Sequence, residues 1–400
     1  MNLSEKSIKD ITQAIKEGDI YDTVYNCRCC GSCVSNWPNG HRCSLSTQAQ
    51  GVQINCRGLN GVIKNIKEGK IEFSSELADY VFRCVTCHVC VENCSEHVNP
   101  VDYIHDMRTQ LVDRGAAPKS IIDIFKSAEK YGNVWSSPAD RRMNWAEGLS
   151  VKTVSENSDF EYLLFVGDSS AYVPRNQKTA RAFVEILNKL GINFAVLGND
   201  ERTSGGEINR MGEEGLFEMM AQENIGNFKK NNVKKIICLS PHGYDALKNE
   251  YPKLDNEFTA EVQHYTEFLA NLLEKGTLKF TKEINKTVTY HDPCYLGRHN
   301  QVYDQPRALL EAIPGLKLVE MDYNRAYAIC CGGGGGGIWM QRGEGIVVEQ
   351  LRYNQAVETG VDILAVACPL CMQMFQGENE NNTENPIEIK DILELINEAL

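Results

Sequence analysis

Sixteen cysteines stand in this 400-residue chain, and they are unevenly spread. Ten lie between Cys27 and Cys94, the next is Cys238, and the last five fall between Cys294 and Cys371. The opening MNLSEKSIKD lacks the apolar core of an export signal. A cytoplasmic location is therefore expected, peripheral to a membrane only through partners. In a reducing compartment clustered cysteines point to metal or catalysis rather than to disulfides. No apolar run approaches the ~18 residues of a membrane helix; EYLLFV and KKIICL are strand-length. The formal charge of −13 argues against nucleic acid as a partner. With 42% hydrophobic and 24% charged residues, the chain reads as globular, and its length predicts two or three compact units.

Cys84, Cys87, Cys90 and Cys94 read C-x2-C-x2-C-x3-C. Three closely spaced thiolates can embrace one face of a [4Fe–4S] cube while the fourth reaches a neighbouring cluster. Ser95 stands where proline is usual, and Asn99-Pro100 follows. Cys27, Cys30 and Cys33 repeat the spacing, but residue 37 is tryptophan, followed by Pro38. Crossing the fourth ligands predicts one cube on Cys27, Cys30, Cys33 and Cys94. The other takes Cys84, Cys87, Cys90 and Cys43, with Cys56 and Cys29 as rivals for the last place. Outside that role Cys56 and Cys29 read as plain buried thiols. Structural zinc is the competing use of such donors.

Ile8, Ile11 and Ile15 share a face behind Ser4, which predicts a capped amphipathic helix over 4–20. Residues 76–82 and 100–114 also read as helices, so residues 1–150 are expected to form a mainly α unit. Pro118, Gly132 and Pro138 mark a linker-like stretch ending near residue 157. Strand and helix patterns then alternate. Strands are predicted at 161–166, 193–197 and 234–239, and helices at 175–190, 210–230 and 241–249. The series repeats with TVTYHD, a helix near 304–313, LKLVEM, a helix near 343–359 and DILAVA. This order suggests βα units on a parallel sheet.

The repeat has a register. Asp168 and Cys294, Ser204 and Cys330, and Gly205 and Cys331 are each 126 positions apart. Ser240 and Cys368, and Gly243 and Cys371, are each 128 apart, so VKKIICLSPHGY aligns with VDILAVACPLCM. Two copies of one Rossmann-like α/β unit are predicted, at 158–280 and 284–400, and only the second kept its cysteines. Cys238, inside KKIICL, reads as a core residue.

The second copy carries Cys294-x(35)-Cys330-Cys331-Gly and, 36 residues further, Cys368-x2-Cys371. With HDPCYLGRHN at 291–300 and CCGGGGGGIW at 330–339, it resembles the "CCG" domain of heterodisulfide reductase. That domain is shared with iron–sulfur subunits of anaerobic glycerol-3-phosphate dehydrogenase and related complexes. Two ferredoxin-like motifs followed by two such domains is similar to the layout of the D-type subunit of heterodisulfide reductase, which fuses the C-type and B-type subunits. The resemblance covers essentially the whole chain. It implies an α-helical ferredoxin-like domain followed by two CCG units, with a noncubane [4Fe–4S] cluster on Cys294, Cys330, Cys331, Cys368 and Cys371. It departs from the family in the first copy, where Asp168, Ser204, Gly205, Ser240 and Gly243 occupy the five positions. Two noncubane clusters acting on one disulfide are implied for heterodisulfide reductase, so a chain with one is a poor candidate for that reaction. The vacated half is expected to cover the surviving cluster or shape a substrate pocket.

Each CCG motif is expected to start or end a strand, with the thiolates at one sheet edge. Glycines 332–337 let bare backbone approach inorganic sulfide and offer N–H donors. A phosphate loop, the rival reading, would need a Gly-Lys-Ser/Thr ending that is absent. His242, His264, His291 and His299 are candidates to donate a proton or orient a substrate. Arg298 is a candidate to neutralise cluster charge or to hold a carboxylate or quinone. The expected function is an iron–sulfur electron-transfer subunit of an anaerobic heterodisulfide-reductase-like complex. With no flavin fingerprint and no span, the expected partners are a flavoprotein and other iron–sulfur subunits. The alternative is direct reduction of a disulfide or quinone at the CCG cluster, and the third reading is a zinc-holding binding protein.

Overall fold

The computed structural model describes residues 3–36, 40–41, 43, 55–340, 348–382 and 386–400. Trp37 and Pro38 lie outside them, as does the start of the helix expected over 343–359. The N-terminal part packs helices α1 (Glu5–Glu17), α2 (Cys56–Lys67), α3 (Ser75–Arg83), α4 (Pro100–Asp113) and α5 (Lys119–Tyr131). Ser4 caps α1 by accepting from the Ser7 N–H, and Ile11 and Ile15 are buried as the pattern requires. The helix stops at Gly18, short of the expected end, and a 3-10 helix (Asp19–Asn26) continues the chain.

Helix α5 corrects the linker reading. Pro118 and Gly132 are its two ends, not breaks in a loop: Pro118 stands at the N-cap and Gly132 closes the helix in the left-handed region, at φ +68°. Ile121, Phe125 and Ala128 anchor α5 in the core. Helix α2 is not foreseen by periodicity, because Gly58 and Gly61 dilute its apolar stripe; Asn55 caps it by accepting from the Gly58 N–H.

Beyond residue 160 lie two four-stranded parallel sheets. The first comprises β1 (Tyr162–Phe165), β2 (Phe194–Ala195), β3 (Lys235–Cys238) and β4 (Glu261–His264), in the order β2-β1-β3-β4. The second comprises β5 (Thr287–Tyr290), β6 (Lys317–Leu318), β7 (Ile363–Val366) and β8 (Glu388–Asp391), in the order β6-β5-β7-β8. The two orders are the same, as a duplication demands. Leu163, Leu164 and Phe165 with Ile236 and Ile237, and likewise Val288 and Tyr290 with Ile363 and Ala365, are buried. Each large apolar side chain so buried contributes roughly 1.5–3 kcal/mol. Strands β4 and β8 are edge strands with the polar sequences EVQH and EIKD, which periodicity does not reveal.

The sheets are covered by α6 (Pro174–Lys189), α7 (Glu214–Lys230), α8 (Tyr265–Glu274), α9 (Asp304–Glu311), α10 (Val348–Glu358), α11 (Pro369–Asn381) and α12 (Ile392–Ala399). They join reciprocally: α6 of the first unit packs on α12 of the second, and α9 of the second on α8 of the first. Arg175 pairs with Glu394 at 2.8 Å, and the Tyr265 hydroxyl donates to Asp391 at 2.8 Å. This is the pairing of an approximate two-fold axis. Among the described residues no helix is long and apolar enough to cross a membrane.

Candidate metal centres

The five CCG cysteines come together from three segments. Cys294 follows β5, Cys368 is the N-cap of α11, and Cys371 sits in that helix's first turn. Cys330 and Cys331 correct one expectation: they lie in the loop beyond β6 and neither start nor end a strand. All five are buried. The Cys294 and Cys330 sulfurs are 3.9 Å apart. Cys331 contacts the thiols of both Cys330 and Cys371, and these hydrogen bonds hold its pKa well below the usual thiol range. Burial alone would push Cys368 up, yet hydrogen bonds from Cys371 and His242, and the charge on His242, bring it to about 5. Cys294 and Cys371, by contrast, are pushed well above the usual thiol range, Cys294 by its contact with Cys330 and by burial, Cys371 by burial and its contacts with Cys331 and Cys368. A buried, all-sulfur donor set fits an iron–sulfur centre.

The glycine run makes two kinds of close backbone contact. The Gly332 N–H donates to Cys330 Sγ at 3.3 Å. At Gly335, where φ is +57°, an added Cβ would meet the Cys84 carbonyl oxygen at 2.9 Å. The loop therefore lies against the backbone of the second N-terminal motif, with no room for a side chain.

In the N-terminal part, Cys27, Cys30, Cys33 and Cys94 line one cavity of about 400 Å³ together with Arg57 and Asn60. Cys29 and Cys90 line the same cavity. Cys84 caps the C-terminal end of α3, and Thr86 and His88, in the left-handed region, turn the chain so that Cys87 and Cys90 are buried. Cys43 is buried, and Cys56 is buried as expected. The Cys56 thiol is not isolated, however: it is in contact with the thiols of Cys33, Cys43 and Cys90. Cys29 corrects its reading as a buried thiol, for it is exposed, with its backbone at φ 55°. Cys238 is buried in β3, as expected of a core residue. The two halves meet at sulfur: the Cys87 thiol hydrogen-bonds with Cys330, and this contact and burial push its pKa up.

Two of the four candidate histidines, His291 and His242, lie near the sulfurs. A ring nitrogen of His291 is within 4.8 Å of the Cys331 and Cys371 sulfurs. Arg352 Nε donates to its Nδ1 at 3.2 Å, which assigns the proton to Nε2. Burial and Arg352 hold this imidazole neutral, with its pKa well below the usual value. His242 contacts Cys368 and pairs with Glu207. His299 stacks on Tyr295 and His88, its Nε2 3.0 Å from the Thr86 carbonyl. His264 instead caps α8, bonding Thr266 Oγ1 at 2.8 Å, and has a structural role. Arg298 is buried; its Nε donates to the Cys87 carbonyl at 2.6 Å and its Nη1 to that of Ala328 at 2.7 Å.

The vacated copy is not empty space. Asp168, Ser204, Ser240 and Gly243 line a cavity of about 500 Å³ that Glu207, His242 and Leu370 also border. Asp168 is neutralised by Arg142, which pairs with it at 2.5 Å and with Glu201 at 2.8 Å. Arg108, Arg352 and Glu207 are not singled out by the sequence motifs. Arg108 carries a legible signal all the same, since it shares the apolar face of Ile104, Met107 and Leu111 and is fully buried.

The family model of the cysteine-rich domain CCG matches residues 165–247 and 288–376, so it covers the vacated copy as well as the cysteine-bearing one. The chain is 39% identical to the probable iron-sulfur-binding oxidoreductase FadF of Bacillus subtilis, over 80% of this chain and 46% of that protein. It is 34% identical to the EtfAB:quinone oxidoreductase of Syntrophomonas wolfei, over 81% of this chain and 47% of that one. It therefore spans about half the length of these two curated relatives. To the D-type subunit of the dihydromethanophenazine:CoB--CoM heterodisulfide reductase of Methanosarcina barkeri it is 36% identical, over 81% of this chain and 79% of that protein. With its paired cysteine-rich domains and its converging thiols, the chain belongs to the family of iron–sulfur oxidoreductases built like the D-type subunit of heterodisulfide reductase.

Proposed function

We propose that the chain is the electron-transfer subunit of an anaerobic heterodisulfide-reductase-like complex. Residues 1–150 would be a ferredoxin-like domain with one [4Fe–4S] cube on Cys27, Cys30, Cys33 and Cys94 and another on Cys84, Cys87, Cys90 and Cys43. Residues 158–280 would be the degenerate CCG unit. Residues 284–400 would hold a noncubane [4Fe–4S] cluster on Cys294, Cys330, Cys331, Cys368 and Cys371. When bound, the three clusters supply one-electron carriers in series.

The observation that carries this reading is the contact of the Cys87 thiol with Cys330, which joins the second motif to the CCG set. Cys33, Cys43 and Cys90 all touch Cys56, which joins the first motif to the second. Cys30 is exposed at the far end, where a flavoprotein or another iron–sulfur subunit would dock. Such partners would also set the location, in the cytoplasm and peripheral to a membrane. Gly332 and the tightly seated glycine loop exclude water and keep the two halves at fixed distance.

A second reading has its own observation. The cavity of the vacated unit ends at His242, which touches Cys368, so a disulfide or quinone could be reduced there directly. Iron and acid-labile sulfide per anaerobically purified chain, with EPR, test the first reading. About 12 irons, roughly four per cluster, are expected, and Cys330→Ser with Cys331→Ser should remove one cluster's share. About 8 irons in the unaltered chain would refute a three-cluster relay. Turnover of a disulfide or quinone by the chain alone, with an artificial donor, would favour the second reading.

A further inference from the structure

Two of the buried arginines in this chain have carboxylate partners. Arg142 is held by Asp168 and Glu201, and Arg307 by Asp292 at 2.7 Å and Glu320 at 2.5 Å. Arg298, like Arg108 and Arg352, has none among the described residues. It is only 4% exposed, and its partners are carbonyl oxygens, those of Cys87, Ala326 and Ala328. Its Nη2 is buried with no partner among the described residues. A buried guanidinium without an anion costs several kcal/mol, and an anion beside it offsets that cost. The titratable groups that act on it electrostatically are the thiols of Cys87, Cys294 and Cys330 and the Tyr303 hydroxyl. Cys87 belongs to the second N-terminal motif, and Cys294 and Cys330 belong to the CCG set. One cation thus stands between two thiolate sites that are themselves in contact through Cys87 and Cys330.

We infer that Arg298 is the shared counter-ion of the two adjoining iron–sulfur centres, with its free Nη2 donating an N–H to sulfur of the CCG centre. The inference rests on the three-centre reading above. A positive charge lowers the energy of the reduced, more negative state of each centre, so Arg298 draws electrons to this junction. The N–H adds to that effect only where it is donated. The first cube, on Cys27, Cys30, Cys33 and Cys94, is outside this pair and should feel the charge least.

EPR-monitored redox titration of the full-length, anaerobically purified chain tests this, with iron and sulfide measured on the same samples. Arg298→Met, which keeps length and removes charge, should retain iron. In it the reduction equilibrium of both adjoining centres should shift at least tenfold toward the oxidised form, about 59 mV for one electron. Arg298→Lys should hold the second cube near its original potential and move only the CCG centre. Loss of iron from Arg298→Met but not from Arg298→Lys would also support the charge role. Full iron with unmoved potentials in Arg298→Met would overturn it, as would loss of iron from both variants. A wild-type chain with no CCG-dependent signal would instead refute the three-centre reading on which the inference stands.

Discussion

Replacing Arg108 by methionine should open the junction between the N-terminal helices and the glycine loop. The guanidinium serves five buried carbonyl oxygens. It donates to Val81 and Phe82 in the last turn of α3, and to Cys84 at 2.5 Å, Arg210 at 2.7 Å and Gly335 at 3.0 Å. The carbonyls of a helix's last turn have no intrahelical partner, so this arginine caps α3 from outside while reaching the loop. A stranded buried acceptor costs about 1–3 kcal/mol. Methionine refills the space of the stem but donates nothing, so five acceptors at the low end give a loss of about 5 kcal/mol. Lysine, with three donors on one nitrogen, should recover about half. Hydrogen exchange over Ser75–Val89 reads the local opening free energy. Protection there should fall by roughly three to four powers of ten in Arg108→Met. A fall of less than tenfold, or equal falls in the methionine and lysine variants, would refute the capping argument.

Asp391 gives a pH signature. Burial, partly offset by the Leu393 N–H and the Tyr265 hydroxyl, raises its pKa from 3.8 to about 7. The folded chain then binds a proton that the unfolded chain has released, so this group's contribution is full below about pH 4. It falls as pH rises through about 7, by ~4 kcal/mol at about 1.36 kcal/mol per unit. Asp391→Asn should abolish that slope in denaturation midpoints measured between about pH 4 and 8; an unchanged slope would assign it elsewhere. Arg142→Met leaves Asp168 and Glu201 buried without their cation and should cost about 3–5 kcal/mol. Because Asp168 and Glu201 belong to the vacated copy, iron per chain should not change, and a fall in iron would show that the two copies are coupled.

How much of this is legible in the sequence follows from how local each signal is. The central strands can be read because Leu163–Phe165 and Ile236–Cys238 are unbroken buried runs between helical patterns. The edge strands Glu261–His264 and Glu388–Asp391 cannot, because their charged and polar residues leave no apolar run. Helix α5 passes for linker because Pro118 and Gly132, the residues that begin and end it, are also the residues of loops. The cysteine motifs are legible because neighbouring ligands in sequence are neighbours in space. The contact between Cys87 and Cys330 is not, since it depends on how the halves dock. Neither is the exposure of Cys29, which turns on a single left-handed backbone residue.

The Arg142–Asp168–Glu201 triad also bears on how such a chain is made. Where the second copy assembles five sulfurs, the first has Asp168 paired, with Glu201, to Arg142 from the preceding segment. That site is completed by amino-acid side chains alone. On the proposed assignment the second unit, and the cysteine loops before residue 100, would need iron and sulfide as well, and the reciprocal helices would let the first copy brace the second while it is loaded.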